Sequence, residues 1–257
     1  MAKKIDEKTL AILSRVTVEG NTIFLTCGQL DRKQYQAVNE VLENMGGKWN
    51  RKAKGHVYPE DPTDKLEQVL LTGEITPPKS FGYFPTPPEL AKRVVSLADI
   101  KAKMMVLEPS AGRGAIAKEA HAAADKVMVD MYELLPDNYE ALISLDLKLS
   151  GVAKPCDFLT VAPNPVYDRV CMNPPFSVEG DGQADITHVL HAWKFVKPGG
   201  RLVSIMSAGV TFRENKKTLA FRELVDRHGY IERNPEGAFK ESGTAVNTVT
   251  VVLDKAA

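Results

Sequence analysis

The chain has 257 residues, 44% hydrophobic and 26% charged, which fits one sizeable globular domain or a domain with a small added module. With 33 basic and 33 acidic residues the formal charge is zero, so contact with nucleic acid must come from local basic patches, not from a global field. No apolar run approaches the roughly 20 residues that span a bilayer. No apolar core follows the charges of the first seven residues, as it would in a signal peptide. Cys27, Cys156 and Cys171 are odd in number and lack zinc spacing. Together these predict a cytoplasmic protein with reduced thiols and neither a metal nor a membrane partner. His188 and His191 stand three apart on a predicted helix without carboxylate or thiolate partners, so no metal is expected there either.

Residues 1–76 read as a small α+β module. Val16–Val18 and Thr22–Leu25 flank a Glu19-Gly20-Asn21 hairpin turn. Asp31 then caps a helix from Arg32 to about Met45, with Tyr35, Val38, Val41 and Leu42 on one face and Gly46-Gly47 at its end. The following stretch, Lys48 to Tyr58, interleaves Lys48, Arg51, Lys52 and Lys54 with Trp49. Two readings stand side by side. One is a phosphate-contacting patch with Trp49 free to stack on a base. The other is a solvated edge whose lysines block strand pairing, with Trp49 in the small core. A short helix around Thr63–Leu71 closes the module, and Thr76-Pro77-Pro78-Lys79 reads as a linker.

From residue 77 to 257 the pattern alternates. Strands are predicted at Met104–Leu107, Lys126–Tyr132, Gly151–Cys156, Arg169–Met172, Arg201–Met206, Tyr230–Glu232 and Thr244–Leu253. Helices fall at Pro88–Leu97, Gly114–Ala124, Pro136–Ser144, Ile186–Phe195 and Lys217–His228, and Pro198-Gly199-Gly200 reads as a turn. Repeated βα units predict a doubly wound, mainly parallel seven-stranded sheet. Ligands bind such sheets outside the carboxyl ends of the strands, at the topological switch point.

The strand ends carry the chemistry. The first ends in Glu108-Pro109-Ser110-Ala111-Gly112-Arg113-Gly114, where small residues let a ligand approach the backbone. The Gly-Lys-Ser/Thr ending of a phosphate loop and the three spaced glycines of a dinucleotide fold are both missing. Glu108 suits an ammonium and repels phosphate. Glu133 ends the second strand, where an acid binds ribose hydroxyls in nucleoside-binding folds. Asp157-Phe158 follows the third, offering an acceptor for a ring amine and an aromatic face for a purine. A phosphate-free, ammonium-bearing adenosine describes S-adenosylmethionine. Each of these carboxylates, taken singly, could equally be a helix cap or a loop charge.

Asn173-Pro174-Pro175-Phe176 ends the next strand. Two prolines fix the backbone and leave carbonyls free to accept, so the loop offers an amide, bare carbonyls and an aromatic ring to a flat amine-bearing base. Val178–Gly182 beyond it is a lid beside that pocket or a plain surface loop.

In order, Tyr83-Phe84-Pro85-Thr86-Pro87, Leu107 to Gly114, Cys156-Asp157-Phe158-Leu159, Asn173 to Phe176 and Gly237 to Thr244 resemble the adenine-N6 DNA methyltransferases of phage and plasmid type, over roughly residues 81–253. The resemblance implies a Rossmann-like domain that uses S-adenosylmethionine. It implies Thr86 and the loop from Glu108 to Gly114, including Ser110, Ala111 and Gly112, around the methionine part of the cofactor, and Phe84 and Asn173 among the cofactor-binding residues. It places Glu133 on the ribose, Asp157 and Phe158 at the adenine, and Asn173, Pro174, Pro175 and Phe176 at the target base. Family members of known sequence specificity carry a substantial target-recognition region, and none is visible here. The expectation is a short or relaxed DNA site, gripped by Lys48, Trp49, Arg51, Lys52, Lys54 and the Ala208–Asn215 loop with Arg213, in a restriction-modification or phage-defence setting. RNA methylation, protein-glutamine methylation and a catalytically idle binding protein remain as alternatives.

Overall fold

A computed structural model describes residues 4–74, 84–145, 147, 151, 155–178, 180–242 and 244–257. The chain divides into two compact units, Met1–Gly82 with Phe239–Asn247, and Tyr83–Ala238 with Thr248–Ala257. The predicted linker at residues 76–79 and the Tyr83 of the first family-like motif lie outside the described residues.

The first unit holds helices α1 (Glu7–Leu13), α2 (Arg32–Asn44) and α3 (Thr63–Thr72). Its strands β1 (Thr17–Glu19), β2 (Thr22–Phe24), β3 (Lys48–Asn50) and β4 (Gly55–Val57) form an antiparallel sheet in the order β1-β2-β4-β3. Asp31 caps α2, its carboxylate accepting from the Gln34 N–H. The buried face of α2 is Gln34, Val38, Val41 and Leu42; Tyr35, expected on it, is 38% exposed. Gln34 can be inside because its amide donates to Thr9 Oγ1 on α1, at 2.9 Å. That helix has no counterpart in the sequence reading, because seven residues give too short a period. The unit also takes in Thr244 and Ala245, whose hydroxyl and N–H both donate to the Leu70 carbonyl at the end of α3. The last predicted strand therefore begins at Thr248, not Thr244.

The second unit is a six-stranded sheet among the described residues. Its strands are β5 (Met105–Glu108), β6 (Met128–Met131), β7 (Tyr167–Met172), β8 (Val196–Ser207), β9 (Gly229–Arg233) and β10 (Thr248–Asp254), in the order β6-β5-β7-β8-β10-β9. The β5–β6, β5–β7 and β7–β8 pairs are parallel, and β10 runs antiparallel to both neighbours. Helices α4 (Pro88–Ala98), α5 (Ala115–Ala122), α6 (Pro136–Ile143), α7 (Ala184–Ala192) and α8 (Lys216–His228) accompany it. The α/β class holds, with two corrections. Of the seventh strand expected at Gly151–Cys156, residues 152–154 lie outside the described set; among the described residues the sheet has six strands, and the Gly151 carbonyl accepts from Met131 N at 2.8 Å. Pro198-Gly199-Gly200 lies inside β8 as an irregularity against β7, with Gly199 at φ +73°, because Gly199 and Gly200 pair with the backbone of Lys255.

The strands are buried on both faces: Val106, Leu107, Val170, Met172, Leu202, Val249 and Val251 are all fully enclosed. A core of this kind needs helices on both sides of the sheet. Chain order reverses between β5 and β7, so the switch point lies at the carboxyl ends of those two strands, at Glu108 and just past Met172.

Candidate active site

The carboxyl ends of β5 and β6 and the segment at Cys156 are joined by backbone bonding. Tyr132 N donates to Glu108 O at 3.0 Å, Ala111 N to Tyr132 O at 2.9 Å, and Cys156 N to Glu133 O at 2.9 Å. The loop from Glu108 to Gly114 is thereby stitched to the end of β6. Gly112 and Gly114 both have positive φ, +55° and +78°, a region that favours glycine. A Cβ on Gly114 would lie 2.4 Å from Leu145 Cδ1, so the loop also needs glycine for space.

Glu108 is 2% exposed, and its Oε2 has no hydrogen-bond partner. Burial first, and the Glu133 charge as well, hold its carboxyl well above the ordinary range, against a lowering contribution from the Ala117 N–H. This is an enclosed acid that faces no cation of the protein among the described residues. Cys171, on β7, is fully buried, and burial followed by the Glu108 charge pushes its thiol up, so it is no nucleophile.

Glu133 is 8% exposed and uses both oxygens: Oε2 accepts Gly112 N at 2.6 Å and Oε1 accepts Leu135 N at 2.7 Å. Each oxygen keeps a second lone pair. Ser110 is half-buried and Ala111 buried beside it. Arg113 ties the same loop to α6, its Nε donating to Asn138 Oδ1 at 3.2 Å. Asp157 is exposed and caps a 3₁₀ turn by accepting from Leu159 N. Phe158, expected to cover a purine, is instead 3% exposed in the core, between Tyr132, His191 and Phe195.

On the acceptor side, Asn173 Nδ2 donates to Thr86 Oγ1 at 3.0 Å, while Asn173 Oδ1 is buried without a partner. Pro174 is buried, and Phe84 and Pro175 are half-buried. Phe176 is 6% exposed, so the ring expected to stack on a base is covered. Beyond it, Val178 and Asp181 pair across a tight turn. Lys217 Nζ at the start of α8 donates to both Asp181 oxygens, to Thr187 Oγ1 and to the Gln183 carbonyl. The segment read as lid or plain loop is thus anchored at Asp181. Glu179 lies outside the described residues.

Arg213, expected on nucleic acid, is 2% exposed and its carbonyl accepts from Arg222. A guanidinium enclosed in this way cannot reach a phosphate, which corrects that expectation. His188 and His191 spend ring nitrogens on the carbonyls of Ala184 and Val161, and among the described residues no group of three His, Cys, Asp or Glu could hold a metal.

Three features escaped the sequence reading. Leu134 and Leu135, 58% and 43% exposed, follow Glu133 directly and offer apolar surface at the end of β6. The signal was there: two leucines where a helix entrance is usually polar. Ser177, next to Phe176, is 2% exposed with an Oγ that lacks a partner. The Asp181–Lys217 anchor joins residues too far apart in sequence to be paired by pattern.

No protein-family model matches the chain. Solved structures do resemble it. A type I restriction-modification methyltransferase subunit from Streptococcus thermophilus shares 20% identity at a TM-score of 0.60, covering 76% of this chain and 48% of its own. The two folds therefore superpose. This chain has the class I methyltransferase fold. A Listeria monocytogenes protein assigned to the class I S-adenosylmethionine-dependent methyltransferases matches at 16% identity and a TM-score of 0.55, over 87% of this chain and 81% of its own. A Vibrio vulnificus protein assigned as the modification subunit of a type I restriction enzyme matches at 15% and 0.57, over 90% and 51%. The chain spans about half the length of the two restriction-modification subunits. In the methyltransferase fold the carboxyl ends of β5, β6 and β7 form one rim, and Glu108, Glu133 and Asn173 all stand on it.

Proposed function

We propose that this protein transfers a methyl group from S-adenosylmethionine to the exocyclic N6 amine of adenine in DNA. The observation that carries this reading is the buried, unpartnered Asn173 Oδ1 at the carboxyl end of β7. A buried amide oxygen left open costs about 1–3 kcal/mol, and an incoming N–H removes that cost.

The residues present fit the cofactor. Glu108 offers an enclosed carboxylate to an ammonium, and pairing draws its raised pKa down. Gly112 and Gly114 allow close approach of the methionine part, next to Ser110, Ala111, Phe84 and Thr86. The remaining lone pairs on Glu133 suit ribose hydroxyls. Leu134 and Leu135 supply apolar surface for the adenine ring, and Asp157 an exposed acceptor for its amine. Bound there, S-adenosylmethionine supplies an electrophilic methyl on a sulfonium.

The target amine is a poor nucleophile because its lone pair is delocalised into the ring. Asn173 Oδ1 and the Pro174 carbonyl accept its two N–H bonds, and this localises the lone pair. Orientation and fixed dipoles then supply most of the rate. No strong base is required, since the alkylated nitrogen is acidic and its proton passes through these acceptors to water. Stacking on Phe176 requires the covered ring to open, so the Asp181 anchor becomes part of the substrate step.

The connection from β7 to α7 is short, residues 173–183. That supports a short or relaxed recognition site. Likeness to restriction-modification subunits supports a role in such a system, with DNA as the partner. The test is transfer of a tritiated methyl from the cofactor to duplex DNA, single-stranded DNA and RNA. Label on N6 of DNA adenine, abolished by Asn173→Ala with cofactor binding kept within a few fold, is the expected result. Label on RNA alone, or on none, would overturn the assignment.

A further inference from the structure

The β3–β4 hairpin of the first unit carries a surface that methyl transfer does not explain. Lys48, Arg51, Lys52 and Lys54 are all exposed, and Trp49 among them is 48% exposed. No acidic residue stands between Glu43 and Glu60, in a chain whose formal charge is zero. Several exposed lysines elsewhere are matched: Lys65 with Glu60, Lys92 with Glu89, Lys101 with Asp99 and Lys240 with Glu7. None of the four hairpin cations makes an ion pair among the described residues.

The hairpin is also stiff. Asn50 Oδ1 accepts from Lys52 N and Ala53 N at 2.9 and 3.1 Å, closing the turn. Lys54 sits at φ +56°. Gly55 passes so close to β2 that a Cβ there would lie 2.8 Å from Ile23 O. Trp49 is held edge-on by the enclosed ring of His56, with centroids 5.3 Å apart, and His56 is itself fixed by Asn39.

β3 is an edge of its sheet. Lysines alone would fit a guard against edge pairing; what a guard does not call for is a half-exposed indole fixed among the cations with its face open. Cations on a rigid turn with an aromatic face between them match a phosphate chain with an unstacked base.

We propose that this hairpin is a binding surface for single-stranded or locally opened nucleic acid, with a base on Trp49 and phosphates on Lys48, Arg51, Lys52 and Lys54. Indole stacking is sequence-tolerant, so the surface adds grip without adding specificity.

The test uses the full chain and a fluorescein-labelled 20-nucleotide strand, alone or in a duplex, with anisotropy followed across a salt series. Trp49→Ala is expected to weaken single-strand binding by about 5- to 150-fold, Trp49→Phe to restore most of it, and the loss on duplex to be smaller. Replacing Lys48, Arg51, Lys52 and Lys54 by Gln is expected to flatten the plot of log affinity against log salt by about 0.7 for each phosphate that is no longer neutralised. Unchanged circular dichroism and Tm would show that the variants are folded. Binding of Trp49→Ala within twofold of wild type, an equal loss on duplex, or an unchanged salt slope in the charge variant would each overturn the inference. Because the readout is binding, tight binding without methyl transfer would sink the enzymatic reading and leave this one standing.

Discussion

Asn173 gives its side-chain amide to Thr86 Oγ1 at 3.0 Å and keeps its Oδ1 buried with no partner. With the amide nitrogen spent on Thr86, the oxygen is the end left for another donor. Thr86→Val should leave the Asn173 side chain free to turn. The expected outcome is a fall in kcat of about tenfold, the weight of one positioning hydrogen bond of about 1.4 kcal/mol, with little change in KM for the polynucleotide. Steady-state kinetics on an adenine-containing duplex would check this. A change in KM alone would mean that Thr86 acts in binding and not in orientation.

Glu108 makes a prediction about pH. Its folded pKa is raised well above 4.5, chiefly by burial. Below pH 4.5 the carboxyl is protonated both folded and unfolded, and its burial carries no ionisation penalty. As pH rises through the folded value, the unfolded state is favoured by its freedom to ionise, so stability falls. Glu108→Gln removes this penalty. At pH 8 the variant should melt higher than wild type, by about 2–4 °C for each kcal/mol relieved, and the gap should close near pH 4. The same change should abolish binding of an ammonium-bearing cofactor. Thermal melts at the two pH values, with and without S-adenosylmethionine, test both halves. Equal melting at pH 8 would contradict the enclosed, unpaired acid.

The Asp181–Lys217 anchor can be tested by removal. Both side chains are about a third exposed, 31% and 35%, so solvent screens part of the pair. Burial works to raise the Asp181 carboxyl, but hydrogen bonds from Lys217, Thr187 and Gln183 N outweigh it and hold the pKa below 3.8. Its contribution is therefore present above pH 3.8 and is lost as pH falls through the lower folded value. Asp181→Ala should cost about 1–2 kcal/mol at neutral pH. It should also raise KM for DNA while cofactor affinity holds, because the segment it frees follows Phe176 directly. Calorimetric titration of the cofactor beside DNA kinetics separates the two. Loss of cofactor affinity would place the anchor at a different site.

Local pattern carried much of the second unit. Apolar runs punctuated by glycine, proline and acids located β5, β6, β7 and the helices between them to within a few residues, because burial on both faces and turn chemistry are written in neighbours. The same locality placed the cap at Asp31 and the strand-end residues Glu108, Glu133 and Asn173. It failed where a distant partner decides. Gln34 takes the buried place expected of Tyr35 because Thr9 receives its amide. Gly199 and Gly200 stay in β8 because Lys255 pairs with them. Thr244 and Ala245 leave the last strand for the Leu70 carbonyl.

The sequence by itself determined which chemical groups stand at the strand ends: an acid at 108, another at 133, an amide at 173 before two prolines. Only the tertiary structure decided their condition. Enclosure makes Glu108 an acid of raised pKa and leaves Asn173 Oδ1 an open acceptor. Enclosure likewise places Arg213 and Phe158 in the interior, while Trp49 is left half-exposed to solvent. Solvation sets what a polar or aromatic group can do, and it depends on segments far apart in the chain that close around it.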